Sequence, residues 1–320
     1  MDNLTHSLVG ALLGQAGLKR KTGLAMPALI IGANLPDVDA ACFFWLDGVE
    51  HLGFRRGITH GPIAWVLLPL ILAALLWGFD RWQTARGKRP EGRLQVSFKW
   101  LFLLSFIGCL THPALDWLNV YGIRLLEPFS REWFYGDTLF IIDVWLWALM
   151  SFATWFSLRR EELGKSWHWP AVTGLLLSAV YIAANLVWTI GHLASFSISN
   201  KDMAFPHDTL IAAPVPFFSW QREIIAGSDN MYFVVRPDQN PSRDNASPIS
   251  EERCGWPDVE KLRRTNVDLD AFLFWSRAPF AERAEDGSVI LRDARFYDPR
   301  ARDNFSVALP EVKCGELPAE

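Results

Sequence analysis

The sequence predicts a mainly α protein, a polytopic helical membrane bundle of about four to six embedded helices followed by a smaller C-terminal α+β soluble domain. Three observations carry that expectation. Half of the 320 residues are hydrophobic, with 16 Trp and 22 Phe, which is rich for a soluble chain of this length. The long apolar runs fall in roughly the first 190 residues, and charge, Pro, Asn and Ser dominate the remainder. Beyond that point short alternating runs and turn pairs replace the helical pattern.

The elements follow in order. Residues 8–18 and 24–35 are each short of a full span and are joined by the basic turn LKRKTG, so they form an embedded helical hairpin, with Gly10 and Gly14 spaced for close helix packing. Residues 63–79 (IAWVLLPLILAALLWGF) and 169–190 approach the ~20 apolar residues a bilayer requires. Residues 98–110 and 139–158 supply two further spans, the second holding an intramembrane acid, Asp143, which marks a functional position. No cleavable signal peptide is expected, because Lys19-Arg20-Lys21 follows the first apolar stretch instead of preceding it. The domains expected are therefore 1–194, membrane-embedded, and 195–320, outside the membrane.

Orientation comes from the basic loop residues. They concentrate at 19–21, 81–99 and 159–165, whereas the opposite loops hold only Arg55, Arg56, Arg124 and Arg131. The positive-inside rule puts the first set in the cytoplasm and both termini outside. In the tail, 222–225 and 231–235 flank Gly-Ser-Asp-Asn, and 288–292 follows Asp286-Gly287, all hairpin signals. Residues 270–276 fit either a strand or a helix, and 212–220, with two prolines, reads as an extended linker whose aromatics lie near the headgroups. An outward tail is oxidising, which favours a Cys254–Cys314 disulfide, while Cys42 and Cys109 lie in apolar surroundings as small core residues.

The polar motifs all fall at the outward ends of the spans. His6 opens the first helix, Asn34-Leu-Pro36-Asp37-Val-Asp39 ends the second, and Arg56-Gly-Ile-Thr59-His60-Gly-Pro precedes the third. Thr111-His112-Pro113-Ala-Leu-Asp116-Trp-Leu-Asn119 closes the fourth, and Tyr135-Gly-Asp137 opens the fifth, with Asp143 deeper. Imidazole and carboxylate are the usual ligands of zinc and related divalent ions, and such sites gather residues distant in sequence. The candidate metal ligands are His6, Asp37, Asp39, His60, His112, Asp116 and Asp137, holding one or two ions, zinc first and manganese second. His112 and Asp116, four apart, share a face if the helix continues past Pro113. Asp39 or Asp143 is placed to act as base, and Arg56 to meet phosphate oxygens.

Each motif also has a plain structural reading. Asp37 and Asp39 suit an Asx turn after Pro36, His6 an N-terminal cap, and Asp137 the N-cap of the fifth helix. His60 suits a loop before a proline-started helix, and Arg56 suits snorkelling toward headgroups. His51, His168, His192 and His207 carry no site argument. The small formal charge of −4 and the scattered basic residues give no support for nucleic-acid binding.

Taken together, Met1-Asp2-Asn-Leu-Thr5-His6, the Asn34–Asp39, Arg56–His60 and Thr111–Asp116 motifs, and Tyr121-Gly122 through Gly136-Asp137 to Asp143 resemble the YdjM family of bacterial inner-membrane proteins, described as metal-dependent hydrolases. The resemblance covers roughly residues 1–190 and implies a metal and a hydrolytic water. The His and Asp pattern is also similar, distantly, to zinc-dependent phospholipase C, although those soluble enzymes lack the spans and carry extra histidine ligands without counterpart here. The expectation is a multi-pass inner-membrane hydrolase of a lipid or other amphiphilic ester or phosphoester, contacting membrane lipids, with its site and tail extracytoplasmic. The competing readings are a cation transporter or channel built on intramembrane acids and a structural membrane protein stapled by its metal.

Overall fold

The structure is a computed structural model that describes residues 1–199, 208–228, 230–240 and 243–315. His207, and Asp229 of the turn read at 227–230, lie outside the described residues. The chain divides into two compact units, Met1–Asp39 with Arg56–Leu186, and Ala40–Arg55 with Val187–Glu320.

The first unit is helical. Helix α1 (Asn3–Gln15) starts at Asp2, whose carboxylate accepts from the amides of Leu4 and Thr5. It turns through a short 3-10 segment into α2 (Ala25–Asn34), which runs on as a 3-10 helix, Leu35–Phe44. Beyond α3 (Glu50–Phe54), a member of the second unit, come α4 (Pro62–Ala85), α5 (Phe98–Trp117), α6 (Val144–Glu162) and the long α7 (His168–Ser199). Pro62 starts α4, where its missing N–H costs nothing.

Among the described residues, four helices are long and apolar enough to cross a membrane: Ala25–Phe44, Pro62–Ala85, Phe98–Trp117 and His168–Ser199. The short second segment of the sequence reading reaches spanning length only because the 3-10 stretch extends it. Val66, Leu67, Leu70, Ile71 and Leu75 of α4 remain exposed, as side chains that face lipid do. Close backbone approach packs α1, α2 and α5 together. A Cβ on Gly10 would stand 2.8 Å from the Leu29 carbonyl oxygen, and one on Gly108 only 2.6 Å from the same atom.

One span begins later than expected. Asp143 is the N-cap of α6, accepting from the amides of Trp145 at 3.1 Å and Leu146 at 2.9 Å, so it lies at the helix entrance and not within the helix. Asp137, read as a possible cap, sits six residues earlier in a turn with φ of 47°. The reason is chemical: the amides of Thr138 and Leu139 both donate to the Leu118 carbonyl, which ties this stretch to the end of α5 instead of into a helix. Helix α6 also ends in Arg159, Arg160, Glu161 and Glu162 and is not among the four candidate spans.

The second unit holds two antiparallel sheets. The first has the order β1 (Thr209–Pro214), β2 (Arg222–Ser228), β3 (Met231–Val235), β4 (Ser247–Pro248). Residues 209–214 are thus a paired strand, correcting the linker expected over 212–220. Ile211, Ala212 and Ala213 are buried, and the small Ala212 lets β1 pack on Phe196 near the end of α7. Phe217, Phe218 and Trp220 beyond it stay exposed.

The second sheet, β5 (Pro279–Arg283), β6 (Ser288–Asp293) and β7 (Ser306–Lys313), turns at Asp286-Gly287, where Gly287 has φ of 81°. Between the sheets lie α8 (Val259–Leu262) and α9 (Val267–Trp275), so the ambiguous segment is helical, capped by Asn266. Helix α3 packs on α9: a Cβ on Gly53 would meet Ala271 at 3.2 Å, and the Val49 amide donates to Asp268 at 2.7 Å. Cys254 and Cys314 form the expected disulfide, and Cys42 and Cys109 are buried and free.

Candidate metal centre

The end of α5 builds the centre. Pro113 is accommodated inside the helix, so His112 and Asp116 stand one turn apart on a common face, Nε2 to Oδ2 3.5 Å. The loop before α4 delivers His60, whose Nε2 lies 3.2 Å from that of His112 and 3.6 Å from Asp116 Oδ2. The 3-10 extension of α2 brings Asp37, with Oδ1 3.7 Å from His112 Nε2. Ligand atoms from Asp37, His60, His112 and Asp116 all lie within 4.8 Å of one another.

Surrounding groups hold these four in place. His112 Nδ1 is 2.7 Å from the Ala33 carbonyl oxygen, which only accepts, so Nδ1 carries the proton and the Nε2 lone pair faces inward. Asp39 Oδ2 accepts from the Arg56 amide at 2.7 Å and the Thr59 hydroxyl at 3.2 Å, and lies 3.5 Å from His60 Nδ1. Burial holds the His60 imidazole below its usual pKa, against the raising effect of Asp116, which favours the neutral ring that a metal takes.

Arg56 is buried and sits with Nε 3.1 Å from Asp116 Oδ2 and Nη1 2.9 Å from Asn119 Oδ1, its guanidinium 4.5 Å from the Tyr121 ring centre. Its backbone φ is 54°, and the glycines that flank the following turn allow close approach: a Cβ on Gly61 would fall 1.9 Å from the Glu127 carbonyl oxygen. His6 stacks on His112 with ring centres 3.8 Å apart and places Nε2 3.3 Å from Asp116 Oδ1, an oxygen also contacted by the Met1 amino group.

The geometry can be tested against an ion. Tetrahedral coordination at bonds of about 2.1 Å sets ligand atoms roughly 3.4 Å apart. The measured separations of 3.2, 3.5, 3.6 and 3.7 Å bracket that spacing. Both His6 ring nitrogens are buried without a hydrogen bond, a state that costs free energy unless a cation or proton is shared there, and Asp116 Oδ2, which accepts no hydrogen bond, is charge-paired with Arg56 at 3.1 Å. The donor set fits a divalent metal.

Of the residues singled out from sequence, Asp37, His60, His112 and Asp116 converge as one group, and His6, Asp39 and Arg56 touch its members. Asp137 and Asp143 do not join it: Asp143 caps α6 and accepts from the Tyr181 hydroxyl at 2.8 Å, and Asp137 lies in the buried turn packed on the end of α5. Two contributors lie in motifs read from sequence without a role assigned to them, and a third has no sequence signal. Asn119 closes the Thr111–Asn119 motif, Tyr121 opens the Tyr121-Gly122 motif, and the Ala33 carbonyl is the one without a signal.

A family model described as YdjM inner membrane protein matches residues 1–191, the segment that carries every one of these residues. The chain belongs to this family. It is accordingly an inner membrane protein with four candidate spans. The Bacillus subtilis (strain 168) protein YfhP, described as uncharacterized, is 26% identical over 318 residues, covering 94% of this chain and 87% of its own length. No solved structure matches.

Proposed function

We propose that this YdjM-family protein is a membrane-bound metal-dependent hydrolase acting on a lipid or other amphiphilic ester or phosphoester. The observation that carries the reading is the pair of imidazole Nε2 atoms 3.2 Å apart over the buried Asp116 carboxylate, one tautomer fixed by Ala33. Asp37, His60, His112 and Asp116 hold the ion, zinc in first place and manganese in second. When bound, such an ion supplies a Lewis acid that polarises the scissile bond and acidifies water.

The chain's own residues divide the remaining work. Asp39 orients His60 and is the candidate base, since its carboxylate lies beside the metal ligands without being one of the convergent four. Arg56 holds Asp116 in position and keeps a buried positive charge beside it, which favours an anionic substrate such as a phosphodiester. A site at the ends of membrane helices meets amphiphiles directly, which supports lipid as the substrate class.

The division at about residue 194 separates this site-bearing part from a domain that we place, with the site, outside the cytoplasm. The basic loops at the opposite helix ends and the Cys254–Cys314 disulfide, a bond of oxidising compartments, support that orientation.

The test uses purified protein in lipid nanodiscs, with phosphorus NMR following phosphodiester and fluorogenic acyl ester amphiphiles. Turnover that stops on chelation, returns with zinc or manganese, and is absent in a folded His60→Gln variant supports the reading. A metal-loaded, folded protein that hydrolyses neither class contradicts it.

A further inference from the structure

A second polar feature lies at the opposite end of the same helices. His6 and His112 stand near one end of α1 and α5, while at the other end the turn after α1 and the loop before α5 line an open pocket of about 460 Å³. Lys19, Arg20, Arg93, Glu161 and Trp167 line it together with the first turn of α2. Its volume suits a headgroup-sized ligand.

The charges are unequal. Glu161 is ion-paired with Lys19, and Arg93 reaches Asp80 outside the pocket at 2.9 Å. Arg20 makes no carboxylate pair among the described residues and instead sits with its guanidinium 5.1 Å from the Trp167 ring centre. The Lys19 ammonium lies 4.1 Å from the same ring. The start of α2 adds to this: Leu24 provides no side-chain cap, Pro27 has no N–H, and the amides of Ala25 and Met26 belong to an uncapped first turn on the pocket wall.

We propose that this pocket binds a phosphate-bearing anion, with Arg20 as its main cation, Lys19 shared between the anion and Glu161, and the α2 amides as hydrogen-bond donors. The same chemistry is offered by the headgroup of an anionic phospholipid and by a free phosphate ester. Basic pockets between membrane helices bind acidic headgroups, and Trp167 beside the cations is the aromatic type that sits at headgroup level. The proposal is independent of the metal centre.

The test uses the full-length protein in nanodiscs of phosphatidylcholine with phosphatidylglycerol, and native mass spectrometry reads the retained lipid. Separately, glycerol 3-phosphate is titrated into lipid-depleted protein in detergent. Arg20→Gln should weaken binding about fivefold and Lys19→Gln/Arg20→Gln about twentyfold or more, from roughly the free energy each basic residue contributes near a membrane surface. Arg86→Gln, which removes an exposed cation outside the pocket, should change nothing. Selective retention of phosphatidylglycerol with this pattern supports a lipid headgroup as the ligand. Binding of glycerol 3-phosphate with the same pattern, and no lipid retention, supports the site with a soluble ligand. Equal binding of both ligands by the wild type and the folded double variant, or binding of neither, overturns it.

Discussion

Asp116→Asn is the most informative single change at the centre. The carboxylate is fully buried, lies 3.1 Å from Arg56 Nε and faces His6, His60 and His112. Its replacement by a neutral amide leaves the buried Arg56 guanidinium with neutral oxygens, those of Asn119 and Gly122 among them, and no carboxylate at this position. Breaking one side of a buried ion pair costs about 3–5 kcal/mol. For a unit of this size that lowers the melting temperature by about 6–20 °C. Differential scanning fluorimetry in detergent, run with chelator so that metal loss does not contribute, measures the shift. Asp116→Leu combined with Arg56→Met removes both charges and should recover most of the stability without recovering any metal-dependent stabilisation. Melting of Asp116→Asn within about 2 °C of the wild type would refute the argument that this pair is a paired buried charge.

Three further outcomes follow from other contacts. Asp39→Asn removes the carboxylate that orients His60 and should weaken metal affinity about tenfold to a hundredfold, read by competition with a chelating dye; unchanged affinity would assign Asp39 no positioning role. Cys254→Ser with Cys314→Ser opens a loop closed across 60 residues and should destabilise the second unit by about 4 kcal/mol, visible as accelerated proteolysis after residue 208; equal protease resistance would contradict this. Gly10→Ala should cost about 1–3 kcal/mol, because its Cβ meets the backbone at Leu29 and Ile30. Gly14→Ala should cost less, because the obstacle is the flexible Met26 side chain, and a reversed order of melting temperatures would show that the helices do not pack on Gly10.

Much of this architecture could be read from residue order. Apolar runs near the length of a bilayer mark α4 and α7, and the polar motifs at alternate helix ends include Asp37, His60, His112 and Asp116, the four that converge in the structure. Four motifs distant in sequence could be grouped because chain direction alone assigns alternate helix ends to opposite sides of a membrane. Residue order fails where two similar residues compete for one role. Asp137 and Asp143 both precede apolar sequence, and only the amide partners of Thr138 and Leu139 decide that the helix begins at Val144. Residues 212–214 resembled a linker because Ala-Ala-Pro has little strand signal, and their pairing depends on the neighbouring β2. The role of the Ala33 carbonyl in fixing His112 was illegible for a deeper reason, since every residue carries that group.

The most direct test of the metal centre is elemental analysis of protein purified in mild detergent without chelator, comparing the wild type with His60→Gln and His112→Gln. The geometry predicts about one divalent ion per chain in the wild type, its loss from both variants, and retention of helical structure by circular dichroism in all three. A wild type that carries no metal and takes none up on addition of zinc or manganese would contradict the central claim.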